Sequence, residues 1–144
     1  MLKVTEGAGS LQGGVDITIS LTPQEAAALG EIDRDQLGDR LDTLFFALAL
    51  LRTGRVCRGD NTGAPATVAN WQLVINDLDK HLIPQLTGAR DASVRAHAAA
   101  GGSVGQLGIA MDVPRSTAQS RRETLQAKVR SPYEHWATGD TRQN

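Results

Sequence analysis

Between residues 114 and 123 the chain reads Pro-Arg-Ser-Thr-Ala-Gln-Ser-Arg-Arg-Glu, a run rich in hydrogen-bonding side chains. Gln119 carries a planar amide that offers a donor and an acceptor together, the pairing that an adenine edge takes up. Arg115, Arg121 and Arg122 carry forked guanidinium groups that match a guanine edge or a phosphate. Ser116, Thr117 and Ser120 add hydroxyls able to meet phosphate oxygens. Spacing decides which of these share a face. At about 100° per residue, Ala118, Leu125 and Val129 fall within about 40° of each other and form an apolar stripe. Ser116, Gln119, Ser120 and Glu123 lie opposite, with Arg115 and Arg121 at the flanks. Arg122 lies nearer the stripe, where a long side chain snorkels to a phosphate or pairs internally.

A helix must carry this face, and a second must hold it up. Ser103 is a good N-cap, and Gln106, three residues on, completes a capping box. Leu107, Ala110 and Met111 make the apolar side of the helix so begun. Asp112-Val113 breaks the pattern. Pro114 then opens a helix at the position where proline is tolerated, and the spacing carries it to about Val129. This arrangement resembles the helix-turn-helix of bacterial transcription regulators. The likeness covers about twenty residues, or about forty (residues 91–130) with the preceding helix. It rests on Gly108 inside the first helix, Val113 after the turn and Pro-Arg-Ser-Thr-Ala opening the second. The resemblance implies that Gly108 lets the helices cross closely, that Val113 plugs the angle between them, and that the second helix enters the major groove. It implies double-stranded DNA as partner, met by Ser103, Arg115, Ser116, Thr117, Gln119, Ser120, Arg121 and Arg122. The turn position, commonly a left-handed glycine, holds Asp112 here; Asp visits that conformation more readily than most residues.

Charge is distributed to match. The net charge is −1, but residues 1–86 sum to −4, residues 87–130 to +4 and residues 131–144 to −1. The positive segment is the one that would have to release counterions from DNA. A single cysteine, Cys57, leaves no intrachain disulfide and no thiolate metal cluster. No apolar core of a signal peptide stands at the N-terminus, and the apolar run Leu44–Leu51 is too short to cross a membrane. A cytoplasmic location is expected. Arginine outnumbers lysine twelve to three, an association with high-GC bacterial genomes.

The rest of the chain reads mostly as helix. Val15, Ile17 and Ile19 alternate with polar residues as in a half-buried strand, and Leu2 and Val4 supply a partner strand across the glycine-rich link of residues 7–14. Thr22-Pro23-Gln24-Glu25 is a helix start, ending near Gly30. A second helix begins at Asp33 or Asp35 and runs to Thr53-Gly54. Its all-apolar half, Leu44–Leu51, must be covered all round, by the chain itself or by a second copy. A loop over residues 54–66 follows, where Arg52, Arg55 and Arg58 would either line an anion or effector site or stand solvated. A third helix is predicted from Ala66 to Leu82, with Val68, Trp71, Ile75, Leu78 and Leu82 on one side, Leu73 and Val74 broadening it, and Asp77, Asp79 and Lys80 in water. Pro84 ends it. Asp91 caps a fourth, Ala92–Ala100, ending at Gly101-Gly102. Ser131-Pro132 stops the last helix. Tyr133, His135 and Trp136 then dock, and the final eight residues look disordered.

The expected fold is mainly α, a helical bundle with a small N-terminal β-hairpin and a C-terminal helix-turn-helix. Residues 1–86 form the dimerisation region, 87–130 the DNA-binding region and 131–144 the tail. No catalytic motif, metal-ligand spacing or cofactor loop is present, so neither enzyme activity nor a cofactor is expected. The function expected is sequence-specific DNA binding by a small bacterial regulator acting as a homodimer, with any small-molecule effector unknown. The competing reading is a protein-interaction adaptor, such as a sigma-factor or partition partner, whose helix-turn-helix docks protein.

Overall fold

The computed structural model describes residues 1–7 and 13–140, without the side chains of residues 31 and 32. Two compact units divide at Asp39/Arg40. The chain is mainly helical, with one antiparallel hairpin.

In the first unit, β1 (Leu2–Glu6) pairs with β2 (Val15–Ile19), placing Leu2 opposite Ile19, Val4 opposite Ile17 and Glu6 opposite Val15. These pairs fall on one face because side chains alternate along a strand. The ladder is closed at its ends by Gly7 N–H donating to Gly14 O at 3.0 Å and by the Met1 amino group donating to Ser20 O. Residues 8–12 of the glycine-rich link lie outside the described residues. Helix α1 (Pro23–Thr53) starts as its sequence predicts: Glu25 N–H donates to the Thr22 hydroxyl, and the Glu25 carboxylate accepts from Thr22 N–H. Those bonds from Thr22 hold the Glu25 carboxyl below its ordinary pKa. Gly30 breaks α1 with a left-handed φ of 74°. The helix resumes at once instead of restarting at Asp33 or Asp35, and Arg34 Nε donates to the Gly30 carbonyl at 3.0 Å.

The second unit holds two small cores. Ala47, Leu50, Val56 and Val74 form the first, with Phe46, Ala66, Trp71 and Leu78 packed against them. They join the end of α1, the 54–66 loop and α2 (Val68–Asp77). The Leu44–Leu51 run is not covered all round: Phe45 and Leu51 are exposed. Val74 is buried and Trp71 and Leu78 pack against this core as expected, while Val68, Leu73 and Ile75, also expected on the apolar side, are exposed. Asp77 does not face water alone; it pairs with Arg40 at 3.7 Å and accepts from the Thr43 hydroxyl at 3.3 Å.

Pro84 does not end a helix. A π-helical turn (Leu78–Leu82) links α2 to α3 (Ile83–Ala99), with Pro84 in the first turn of α3. A proline leaves the carbonyl four residues back without its usual donor. That carbonyl belongs to Lys80, and the Tyr133 hydroxyl donates to it at 2.9 Å. Because α3 runs unbroken from Ile83, Asp91 lies inside it and caps nothing, and the predicted boundary at 86/87 falls within a helix. Gly101 (φ 84°) ends it, with Gly102 N–H returning to His97 O and Gly101 N–H to Ala98 O, the paired bonds of a Schellman motif.

Then come α4 (Val104–Met111), α5 (Arg115–Ala127) and α6 (Pro132–Thr138). Val94, Leu107, Ala118 and Leu125 form the second core, edged by Val104, Met111 and Val113. Ser131-Pro132 begins α6, since α5 has already ended at Ala127; Val129 is therefore outside the stripe and 92% exposed. The aromatic tail docks as expected. Helix α6 lies so close on α3 that a Cβ on Gly88 would meet the Tyr133 backbone at 2.5 Å. Of the eight residues expected to be disordered, residues 137–140 finish α6 and its Gly139 cap, and 141–144 lie outside the described residues.

Candidate nucleic-acid interface

The α4–α5 corner is built from local rules. Ser103 accepts from Gln106 N–H, and the Gln106 side chain accepts from Ser103 N–H, so two orphan donors of α4 are satisfied. At the other end Asp112 is left-handed (φ 52°, ψ 48°), and no other non-glycine described residue has a positive φ. Val113 N–H donates to Gly108 O at 3.0 Å and Asp112 N–H to Ile109 O at 3.2 Å. This is again a Schellman motif, with Asp where glycine is usual. Gly108 sits under the crossing. A Cβ there would lie 3.1 Å from Val113 O and 3.7 Å from Ala118 Cβ. Ala118 itself is fully buried. Pro114 is the N-cap of α5, one residue before the position expected for it.

The predicted contact residues divide into three groups. Arg115, Ser116, Thr117 and Ser120 are exposed on the first turns of α5. Gln119 is exposed beside them, its amide donating to Glu123 at 2.9 Å. Ser103, Arg121 and Arg122 are committed to the fold. Ser103 is the α4 cap. Arg121 donates to Asp91 at 2.7 Å, and the same carboxylate oxygen accepts from Arg90 at 3.0 Å. The charge of Arg121, expected on the outer flank, is thus spent on α3. Arg122 pairs internally, donating to the Gly102 carbonyl at 2.9 Å, which ties α5 to the α3–α4 turn.

Two contacts escaped the sequence reading. Arg95 donates to Glu134 at 2.6 Å and to the Lys128 carbonyl at 2.9 Å, so one guanidinium joins α3, the end of α5 and α6. Glu134 is nearly buried, and its other oxygen accepts from Ser131 N–H at 2.8 Å. Burial pushes the Glu134 pKa up, but the Ser131 N–H and the Arg95 charge outweigh it and leave the carboxyl below its ordinary value. The local half of this was available in the chain: Ser131 and Glu134 have capping-box spacing. The half that reaches Arg95 spans 39 residues and has no local signal.

In the electrostatics of residues 87–130, Arg90, Arg95, Arg121 and Arg130 each have a carboxylate partner. Arg115 and Lys128 have none among the described residues. The three arginines near the 54–66 loop form no joint anion site, since Arg58 pairs with Asp42 and Arg55 donates to Gly63 O. No three potential metal ligands gather among the described residues, and no described helix is long and apolar enough to cross a membrane. Comparison of the chain with protein-family models, curated proteins and solved structures found no match.

Proposed function

We propose that this chain is a sequence-specific DNA-binding regulator that acts as a homodimer and reads the major groove with the first turns of α5. The observation that carries this reading is the exposed set Arg115, Ser116, Thr117, Gln119 and Ser120, held on a helix whose angle to α4 is set by Gly108, the left-handed Asp112 and Ala118. Helix-turn-helix proteins read bases from this part of the second helix. Arg121 and Arg122 act in support, fixing α5 to α3 and to the α3–α4 turn.

Dimerisation is argued from surfaces left open. Within its own unit the hairpin leaves Leu2, Val4, Val15, Ile17 and Ile19 exposed on one face. A two-stranded hairpin is marginal in water without a cover. On α1, Phe45 and Leu51 are further exposed apolar side chains. Light scattering at micromolar concentration should give about twice the 15.3 kDa chain mass.

The test is an anisotropy titration against duplexes tiled across the DNA upstream of the chain's own gene, beside a random duplex. One duplex should bind well above random. Gln119→Ala should lose roughly 1–3 kcal/mol of specific affinity and relax preference at one base pair. Equal, salt-insensitive binding to every duplex would defeat the reading. The adaptor reading then takes over, and it has its own observation: Ile109 on α4 is 84% exposed, an apolar side chain suited to docking protein.

A further inference from the structure

Away from the α4–α5 corner, the second half of α1, the 54–66 loop and α2 line a cleft of about 690 Å³. That size falls within the range of small-molecule sites. Its walls are of mixed chemistry. Phe46 and Val74 give it an apolar floor, while Asp42, Asp60 and Asp77 bring three carboxylates to its lining. Among the described residues, Arg58 is the cationic one in its lining. Its guanidinium donates to both Asp42 carboxylate oxygens at 2.6 Å and to the Asp42 carbonyl at 2.9 Å, and lies 4.9 Å from the Phe46 ring centre. A planar cation thus occupies a seat made of one carboxylate and one aromatic face. The seat is shallow: the Arg58 and Asp42 side chains are 46% and 67% exposed, and an exposed pair of this kind holds weakly.

We infer that this cleft binds a small organic cation, an amidine, guanidine or primary amine with a compact apolar body, which takes the seat that Arg58 fills in its absence. The chemistry selects against the alternatives. An anion would meet the Asp60 carboxylate and would find Arg58 already committed to Asp42 and Arg40 to Asp77. A metal ion would want converging oxygens without an aromatic ring, and these aspartates do not converge. An organic cation gains from both parts of the seat, because the face of the Phe46 ring attracts positive charge and the Asp42 carboxylate accepts from an amidine N–H as it does from Nη1 of Arg58. Arg58 is then a competitor built into the wall, and the cleft stands apart from the reading proposed for α5.

Direct titration of the full chain without DNA tests this. The probes are benzamidine and benzoate, of nearly the same shape and opposite charge, followed by calorimetry and by amide resonances. Benzamidine should bind saturably and shift Gly59, Asn61 and Asn70, and benzoate should do neither. Arg58→Ala should bind benzamidine at least threefold more tightly, because the competitor is gone. Asp42→Asn, at an exposed position that leaves the melting temperature in place, should weaken it at least tenfold in the Arg58→Ala background. Preference for benzoate, weaker benzamidine binding on loss of Arg58, or no saturable binding to either form at millimolar concentration would each overturn the inference.

Discussion

The α4–α5 corner and the N-terminal hairpin use the same kind of amphipathic pattern and end in opposite conditions. At the corner, Val94, Leu107, Ala118 and Leu125 close on one another, and the polar side of α5 is left in water. In the hairpin, the polar side is also in water, but the apolar side of Leu2, Val4, Val15, Ile17 and Ile19 has nothing in its own unit to close on. The corner is finished within one chain. The hairpin calls for a second surface. The lesson is that an apolar stripe shows that a face will be covered but not by what, whereas a polar face on a finished core is free to act.

The largest effect should come from breaking the finished core. Ala118 has no exposed surface and lies in the core with Val94, Leu107 and Leu125, edged by Val113. Ala118→Arg would bury a charge with no partner where only a methyl group fits, which costs at least about 3 kcal/mol. A thermal melt should show α4 and α5 destabilised, and DNA binding should vanish with them. A variant that melts like the parent would mean that the two helices do not pack as a corner.

A smaller effect should follow at the strut behind the corner. Glu134→Gln removes the charge that Arg95 meets at 2.6 Å while keeping the side-chain shape. The loss of a charged hydrogen bond is worth about 1.5–3 kcal/mol. The parent carries a pH signature of the same pair. The Glu134 pKa is lowered by folding, so its contribution is fully present above the ordinary carboxyl value of 4.5 and is lost as pH falls through the lower folded value. Parent and Glu134→Gln stability should therefore converge on acidification below about pH 4.5 and separate above it. A gap that persists unchanged to pH 2 would place the effect elsewhere.

What the chain disclosed in advance is local. The capping boxes at Thr22 and Ser103 and the left-handed turn at Asp112 depend on residues within a few positions, and each forms as read. The shared apolar face of the hairpin follows from alternation, while its register does not. What stayed hidden is settled by distant partners. Pro84 reads as a stop, yet a hydroxyl 49 positions on, from Tyr133, serves the carbonyl it leaves without a donor. Asp91 reads as a cap, yet it is the anion for an arginine 30 residues away. Val129 matched the helical period of α5, but Lys128 turns extended and Arg95 takes its carbonyl. For the candidate site, the wheel placed Gln119, Ser116 and Ser120 outward correctly and left Arg122 two outcomes, a phosphate or an internal partner, of which the internal one forms. It gave Arg121 to the outer flank because a wheel has no knowledge of α3.

That last difference sharpens the smallest prediction, which concerns salt. Seven cations lie in residues 87–130, and if all of them met phosphates, affinity would fall very steeply with salt. Four are already engaged by three carboxylates and the Asp140 side chain is one of them, Arg90 and Arg121 sharing Asp91, and Arg122 faces inward. Among the described residues, Arg115 and Lys128 remain on each copy as exposed cations without a carboxylate, so a dimer offers about four phosphate contacts. At about 0.9 per phosphate, log affinity should then fall with log salt at a slope of about −3.6. Arg115→Ala should weaken specific and random duplexes alike and flatten the slope by about one unit for each copy that loses a contact. If its loss instead falls on one sequence only and leaves the slope in place, Arg115 touches a base edge. Binding with no salt dependence in parent or variant would remove DNA as the partner and leave the exposed face of α5, with Ile109 beside it on α4, as a surface for protein.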